Sequence, residues 1–159
     1  MTSSPSHGPA VLQLRLIVEA EDYDAAVAFY RDTLGLTEQA AFEGEGGARV
    51  AILEAGRATL EIANPAQKRM IDEVEVGRPV SPKIRVAFEV ADSTATTAEL
   101  VAAGATLIAP PTATPWQSLN SRLEAPAGLQ ITLFQELESL EDRTRRAGFG
   151  TDAERHESP

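Results

Sequence analysis

Cysteine is absent from all 159 residues. Disulfides and thiolate chemistry are therefore excluded outright. Histidine is nearly missing too: His7 and His156 are the only two, and both stand in the terminal segments. A two-histidine, one-carboxylate iron site therefore cannot be assembled in the core. Basic charge is scarce, with 14 Lys and Arg against 24 Asp and Glu and a formal net charge of −10. That balance argues against a nucleic-acid partner, because binding phosphates needs a basic face. Aromatic residues make up only 5% of the chain, so packing must rely on Ala, Val, Leu and Ile. No apolar run approaches the roughly 20 residues needed to span a bilayer. The opening MTSSPSHGPA has neither the basic start nor the apolar centre of a signal peptide. These absences fit a cytoplasmic protein with no membrane partner.

What is present is a repeat. Leu14–Leu36 reads as strand, turn and helix, and a degraded copy starts at Ile84, 70 positions further on. Laid over each other without a gap, Arg15 falls on Arg85, Glu19 on Glu89 and Asp22 on Asp92. A repeat of this length is a supersecondary unit used twice. The chain length suits one domain of two halves better than two independent domains.

Each half reads as βαβββ. In the first, covering residues 11–64, Leu12, Leu14, Leu16 and Val18 alternate with Gln13, Arg15, Ile17 and Glu19, the period of a half-buried strand. Asp22 is placed to cap a helix running to about Leu34, and Gly35 suits the left-handed position that stops it. Three strands are expected next, at Glu38–Glu43, Ala48–Glu54 and Arg57–Ala63, with the Gly-rich Glu43–Gly47 as a hairpin turn. Residues 65–82 form a linker that starts with a short helix capped by Asn64, with Pro65 in its first turn. The second half, residues 83–136, repeats the plan. It comprises a strand around Ile84–Val90, a helix capped by Asp92 or Ser93 and ending at Gly104, and a strand at Thr106–Ile108. Strands near Leu119–Glu124 and at Leu129–Gln135 complete it. The tails, residues 1–10 and 137–159, carry the composition of disordered segments, although Glu136–Arg146 has the pattern of a solvated helix.

The fold class is α+β. Two such modules side by side imply a curved eight-stranded mixed sheet, with helices on the outer face and a hollow on the inner face. The alternation sends the polar partner of each apolar stripe into the hollow. That selects Gln13, Arg15, Glu61, Arg85 and Thr132.

At this point the chain resembles the vicinal oxygen chelate superfamily of glyoxalases, bleomycin-resistance proteins and extradiol dioxygenases. The resemblance rests on the paired βαβββ plan, on Asp22–Tyr30 followed by Leu34-Gly35-Leu36, and on Ala125-Pro126-Ala127-Gly128 standing where relatives often carry Asp-Pro-Asp-Gly. It covers about Val11–Gln135. Metal-dependent members hold their ion with one side chain from the first and one from the last strand of each half. The resemblance puts Arg15, Glu61, Arg85 and Thr132 in those places. Only Glu61 is an ordinary ligand, since arginine keeps its proton and offers no lone pair. The expectation is a hollow without metal and a protein without a cofactor.

Two readings of the arginines stand. In one, Arg15 and Arg85 are satisfied inside the molecule by Glu61, Glu19 or Glu89. In the other, one guanidinium grips a carboxylate, phenolate or enolate of a small ligand. Trp116, the only tryptophan, is either core or a wall on which a ligand stacks. Asn120 and Arg122 follow as secondary candidates. The resemblance then implies a small-molecule binding protein of the bleomycin-resistance kind, taking an antibiotic-like or anionic ligand and pairing as a homodimer. The alternative is a lyase or isomerase of the same scaffold, with Glu61 as general base and Arg15 or Arg85 stabilising an enolate. A third is a paralogue whose cavity has closed around its own ion pairs.

Overall fold

The computed structural model describes residues 15–145, except 17, 60 and 62. Asp22 caps the first helix as its sequence suggests, accepting a hydrogen bond from the Ala25 N–H at 3.1 Å. Helix α1, Tyr23–Val27, widens into a π-helical segment over Ala28–Thr33. It ends where Leu34 N–H reaches the Phe29 carbonyl and Leu36 N–H reaches that of Tyr30. Gly35, at φ +88°, makes the turn that other residues resist. Strands β1, Glu38–Glu43, and β2, Arg49–Leu53, pair antiparallel around the Gly-rich turn, Phe42 opposite Val50.

The linker helix α2, Pro65–Glu75, is capped by the Asn64 side chain on the Gln67 N–H at 2.9 Å. The second half then forms β3, Val86–Glu89, and α3, Ser93–Ala102. It continues with β4, Thr106–Ala113, β5, Ser118–Ala125, and β6, Leu129–Glu136. Its sheet has the order β3-β6-β5-β4, with β3 parallel to β6 and the other pairs antiparallel. A short α4, Leu140–Thr144, follows.

The core lies on one face of this four-stranded sheet. Leu123, Ile131 and Leu133 are fully buried there, beneath Leu100 of α3 and Phe29 and Tyr30 of the first helical segment. The Tyr30 hydroxyl donates to the Pro126 carbonyl at 2.8 Å, which ties the first half to the β5–β6 turn. Burial raises the Tyr30 pKa and keeps the phenol a donor. Burying three large side chains at about 1.5–3 kcal/mol each makes this face the main apolar anchor of the molecule.

The described residues do not form the expected eight-stranded sheet: they form six strands in two sheets, one of two strands and one of four. The expected first strand lies partly outside the described residues. Its described part is not in strand, and Leu16 and Val18 are exposed. The fourth expected strand of the first half, Arg57–Ala63, is likewise not strand at its described positions. One strand is longer than expected, since β4 runs on through Pro110 and Pro111. It is an edge strand, where a missing N–H is tolerated, and its register with β5 shifts on both sides of Ala109. The expected tails, apart from α4 and its flanks, lie outside the described residues.

Candidate functional site

Strand alternation sorts the second sheet into two faces. Leu123, Ile131 and Leu133 point to the core, so Arg122, Asn120, Thr132, Phe134, Arg85 and Ala87 share the other face. Register sets their order, with Asn120 opposite Phe134 and Arg122 opposite Thr132. The linker helix α2 lies across part of this face.

α2 brings two carboxylates that pin it down. Arg122, 0% exposed, reaches Glu75 at 2.5 Å and Asp72 at 3.2 Å. Its Nη1 also donates to Ser81 Oγ at 2.6 Å and Gln130 Oε1 at 3.0 Å. Asp72 accepts from the Ser81 hydroxyl and, at 3.0 Å each, from the backbone N–H groups of Val80 and Ser81. Burial pushes its carboxyl up, but the Ser81 hydroxyl, those two N–H groups and Arg122 outweigh it and hold the pKa down to about 2. Gln130 closes the network by donating to the Val80 carbonyl at 3.1 Å and to Glu124 at 3.0 Å.

Beside this network is a cavity of about 310 Å³. Gln67, Ile71 and Glu75 of α2 form one side, and Arg85, Ala87, Thr132 and Phe134 the sheet side. Trp116, Ser118, Asn120, Glu61 and Glu136 complete it. Arg85 donates from Nη1 to Thr132 Oγ1 at 2.5 Å, and no carboxylate among the described residues lies within ion-pair distance of it. Burial lowers its pKa, as does the Arg122 charge, while Glu75, Glu61 and Asp72 oppose the shift from further off. A guanidinium has five N–H donors, so one threonine leaves most of them to water or a ligand.

The eight sequence candidates therefore separate. Glu61, Arg85, Trp116, Asn120 and Thr132 line one cavity. Arg122 is adjacent to it but is consumed by Asp72 and Glu75. Arg15 is exposed and is not part of the lining. Gln13 lies outside the described residues. The expected internal pairing of Arg85 with Glu61, Glu19 or Glu89 is corrected, because the ion pairs belong to Arg122 and draw their carboxylates from α2. Sequence reasoning missed Asp72 and Glu75. The available signal was their spacing with Gln67 and Ile71 on one face of a helix.

The donor set does not fit a resident transition metal. Of the four places that the sequence resemblance assigns to the ion of metal-dependent relatives, two carry guanidinium groups without a free lone pair. Thr132 is already an acceptor for one of them. Among the described residues no three His, Cys, Asp or Glu side chains are grouped to hold a metal.

Residues 13–133 match the model of the Glyoxalase/Bleomycin resistance protein/Dioxygenase superfamily. Similar solved structures include TnmS3, an antibiotic binding protein from a Streptomyces species, at 23% identity and TM-score 0.52, covering 81% of this chain and 99% of that one. A glyoxalase family protein from Bacillus cereus is similar at 18% identity and TM-score 0.53, covering 82% of this chain and all of that one. At such identities the likeness concerns the fold alone. No curated protein matches the chain. No helix among the described residues is long and apolar enough to cross a membrane. With about three quarters of its length matched and its second half built as one complete βαβββ module, the chain belongs to the glyoxalase, bleomycin-resistance and dioxygenase superfamily.

Proposed function

We infer that this protein binds a small organic molecule bearing an acidic group, without metal, in the cavity between α2 and the second sheet. One observation carries the reading: among the described residues Arg85 lines the cavity with a single threonine hydroxyl as its partner, while the neighbouring Arg122 has two carboxylates. A partly desolvated guanidinium short of an anion is suited to a carboxylate or phenolate. Trp116 and Phe134 supply flat apolar surface for the rest of the ligand. The role is sequestration or carriage of that ligand; TnmS3, which shares the fold, is an antibiotic binding protein. The reading places the protein in the cytoplasm as a homodimer. Phe42 and Val50, 60% and 46% exposed and paired across the β1–β2 ribbon, supply apolar surface for a second copy.

A thermal-shift panel of aromatic carboxylates and their neutral amides tests the site. Stabilisation by carboxylates, absent with the amides, is the expected outcome. Equal shifts from both sets, or none from either, contradict it. Dialysis against zinc, nickel, iron and manganese should leave metal well below one equivalent, and stoichiometric retention would overturn the metal-free assignment. Sedimentation should give twice the 17.0 kDa chain mass, and a single-chain mass at micromolar concentration would remove the dimer.

A second reading rests on Glu61 lining the same cavity as Arg85. It is a lyase or isomerase with Glu61 as general base. Turnover that Glu61→Gln abolishes while ligand affinity persists selects it, and the absence of turnover in the wild type removes it.

A further inference from the structure

Asn120 has an orientation that its neighbour fixes. Its Nδ2 donates to Glu75 Oε1 at 2.7 Å, and an ionised carboxylate can only accept. The amide therefore cannot be flipped without losing that bond, and Oδ1 must face away from Glu75. That oxygen is buried and has no hydrogen-bond partner among the described residues, on a side chain that is 6% exposed and lines the cavity. A buried acceptor without a donor is costly, and native proteins rarely leave one unfilled.

Register places this acceptor relative to Arg85. The guanidinium is held at Thr132, and Phe134 lies two residues further along β6, opposite Asn120 on β5. Two residues of strand and one strand spacing put Asn120 roughly 8 Å from Thr132, whose hydroxyl holds the guanidinium. Phe134 neighbours both, opposite Asn120 on β5 and two residues along β6 from Thr132.

We propose that the ligand of this cavity is an aromatic acid carrying a hydroxyl or N–H donor on the ring, its anion on Arg85 and its donor on Asn120 Oδ1. The proposal rests on the acidic-ligand reading above and narrows it to one class. Asn120 is then the residue that separates hydroxylated or aminated acids from their plain analogues. A site that offers a buried acceptor rejects an analogue lacking the donor, because the acceptor stays unpaired.

Trp116 is the only tryptophan and lines the cavity, so its fluorescence reports occupancy directly. The test is titration of the full chain with 3-hydroxybenzoate and with benzoate. Wild type should bind the hydroxy acid roughly tenfold more tightly, the effect of one buried hydrogen bond. In Asn120→Ala and Asn120→Ser the gap should close to within about threefold. The ligand comparison in wild type needs no variant, so it stands if either substitution unfolds the chain. Equal, saturable, Arg85-dependent binding of both acids overturns the donor inference and leaves the acidic-ligand reading intact. It would mean that Asn120 Oδ1 holds only a water molecule. Binding of neither acid, or binding unchanged in Arg85→Met, overturns both.

Discussion

Arg85 and Arg122 occupy the same face of one sheet and have opposite surroundings. Arg122 is fully buried between two carboxylates, and removing it leaves Asp72 and Glu75 buried without their cation. Arg122→Met should therefore lower stability by about 3–5 kcal/mol in urea unfolding. Arg85 is half-buried with one hydroxyl partner, so Arg85→Met should change stability by no more than about 1 kcal/mol. Similar losses at the two positions would contradict this division of roles. Acid adds a second handle on the network. Asp72 is depressed from 3.8 to about 2 in the folded chain, so its stabilisation is complete above the unfolded value and is lost as pH falls through the folded one. Stability should decline between about pH 4 and pH 2, and Asp72→Asn should flatten that part of the profile. An unchanged acid limb in the variant would assign the loss to other groups. At this scale the sequence was informative about Arg85 and Thr132, because strand alternation alone decides which face a side chain takes. It was uninformative about which arginine would be neutralised. That depends on where a linker helix folds back, which no local period encodes.

The elements show the same contrast. Caps at Asp22, Asn64 and Asp92 were legible because each is a local interaction between a side chain and an N–H three residues on. The widening of α1 into a π-helical segment and the continuation of β4 through two prolines were not, since packing and an edge position decide them. The turn at Ala125–Gly128 holds a local conflict. Ala127 has φ +66°, a left-handed conformation that disfavours residues with a Cβ. Asparagine tolerates this region better than alanine, so Ala127→Asn should stabilise the chain by about 0.5–1 kcal/mol, a melting-temperature rise of roughly 1–4 °C. A fall in melting temperature would show that the turn is held by contacts the asparagine disturbs.

Over the whole molecule, the repeat predicts two like halves, and among the described residues the two differ. The second half completes its four-stranded sheet, and the first contributes a two-stranded ribbon together with the aromatic pair Phe29 and Tyr30 that packs on the second. The consequence for function is a cavity bounded by one sheet and a linker helix, with Glu61 from the first half at its edge. Its chemistry then depends on what Arg85 is free to hold. The most direct measurement is a Trp116 fluorescence titration with 3-hydroxybenzoate, comparing wild type with Arg85→Met. Saturable quenching in the wild type and an affinity at least roughly tenfold weaker in the folded variant, the loss of one charge-assisted contact, is the predicted result. Equal affinity in the two proteins would contradict it.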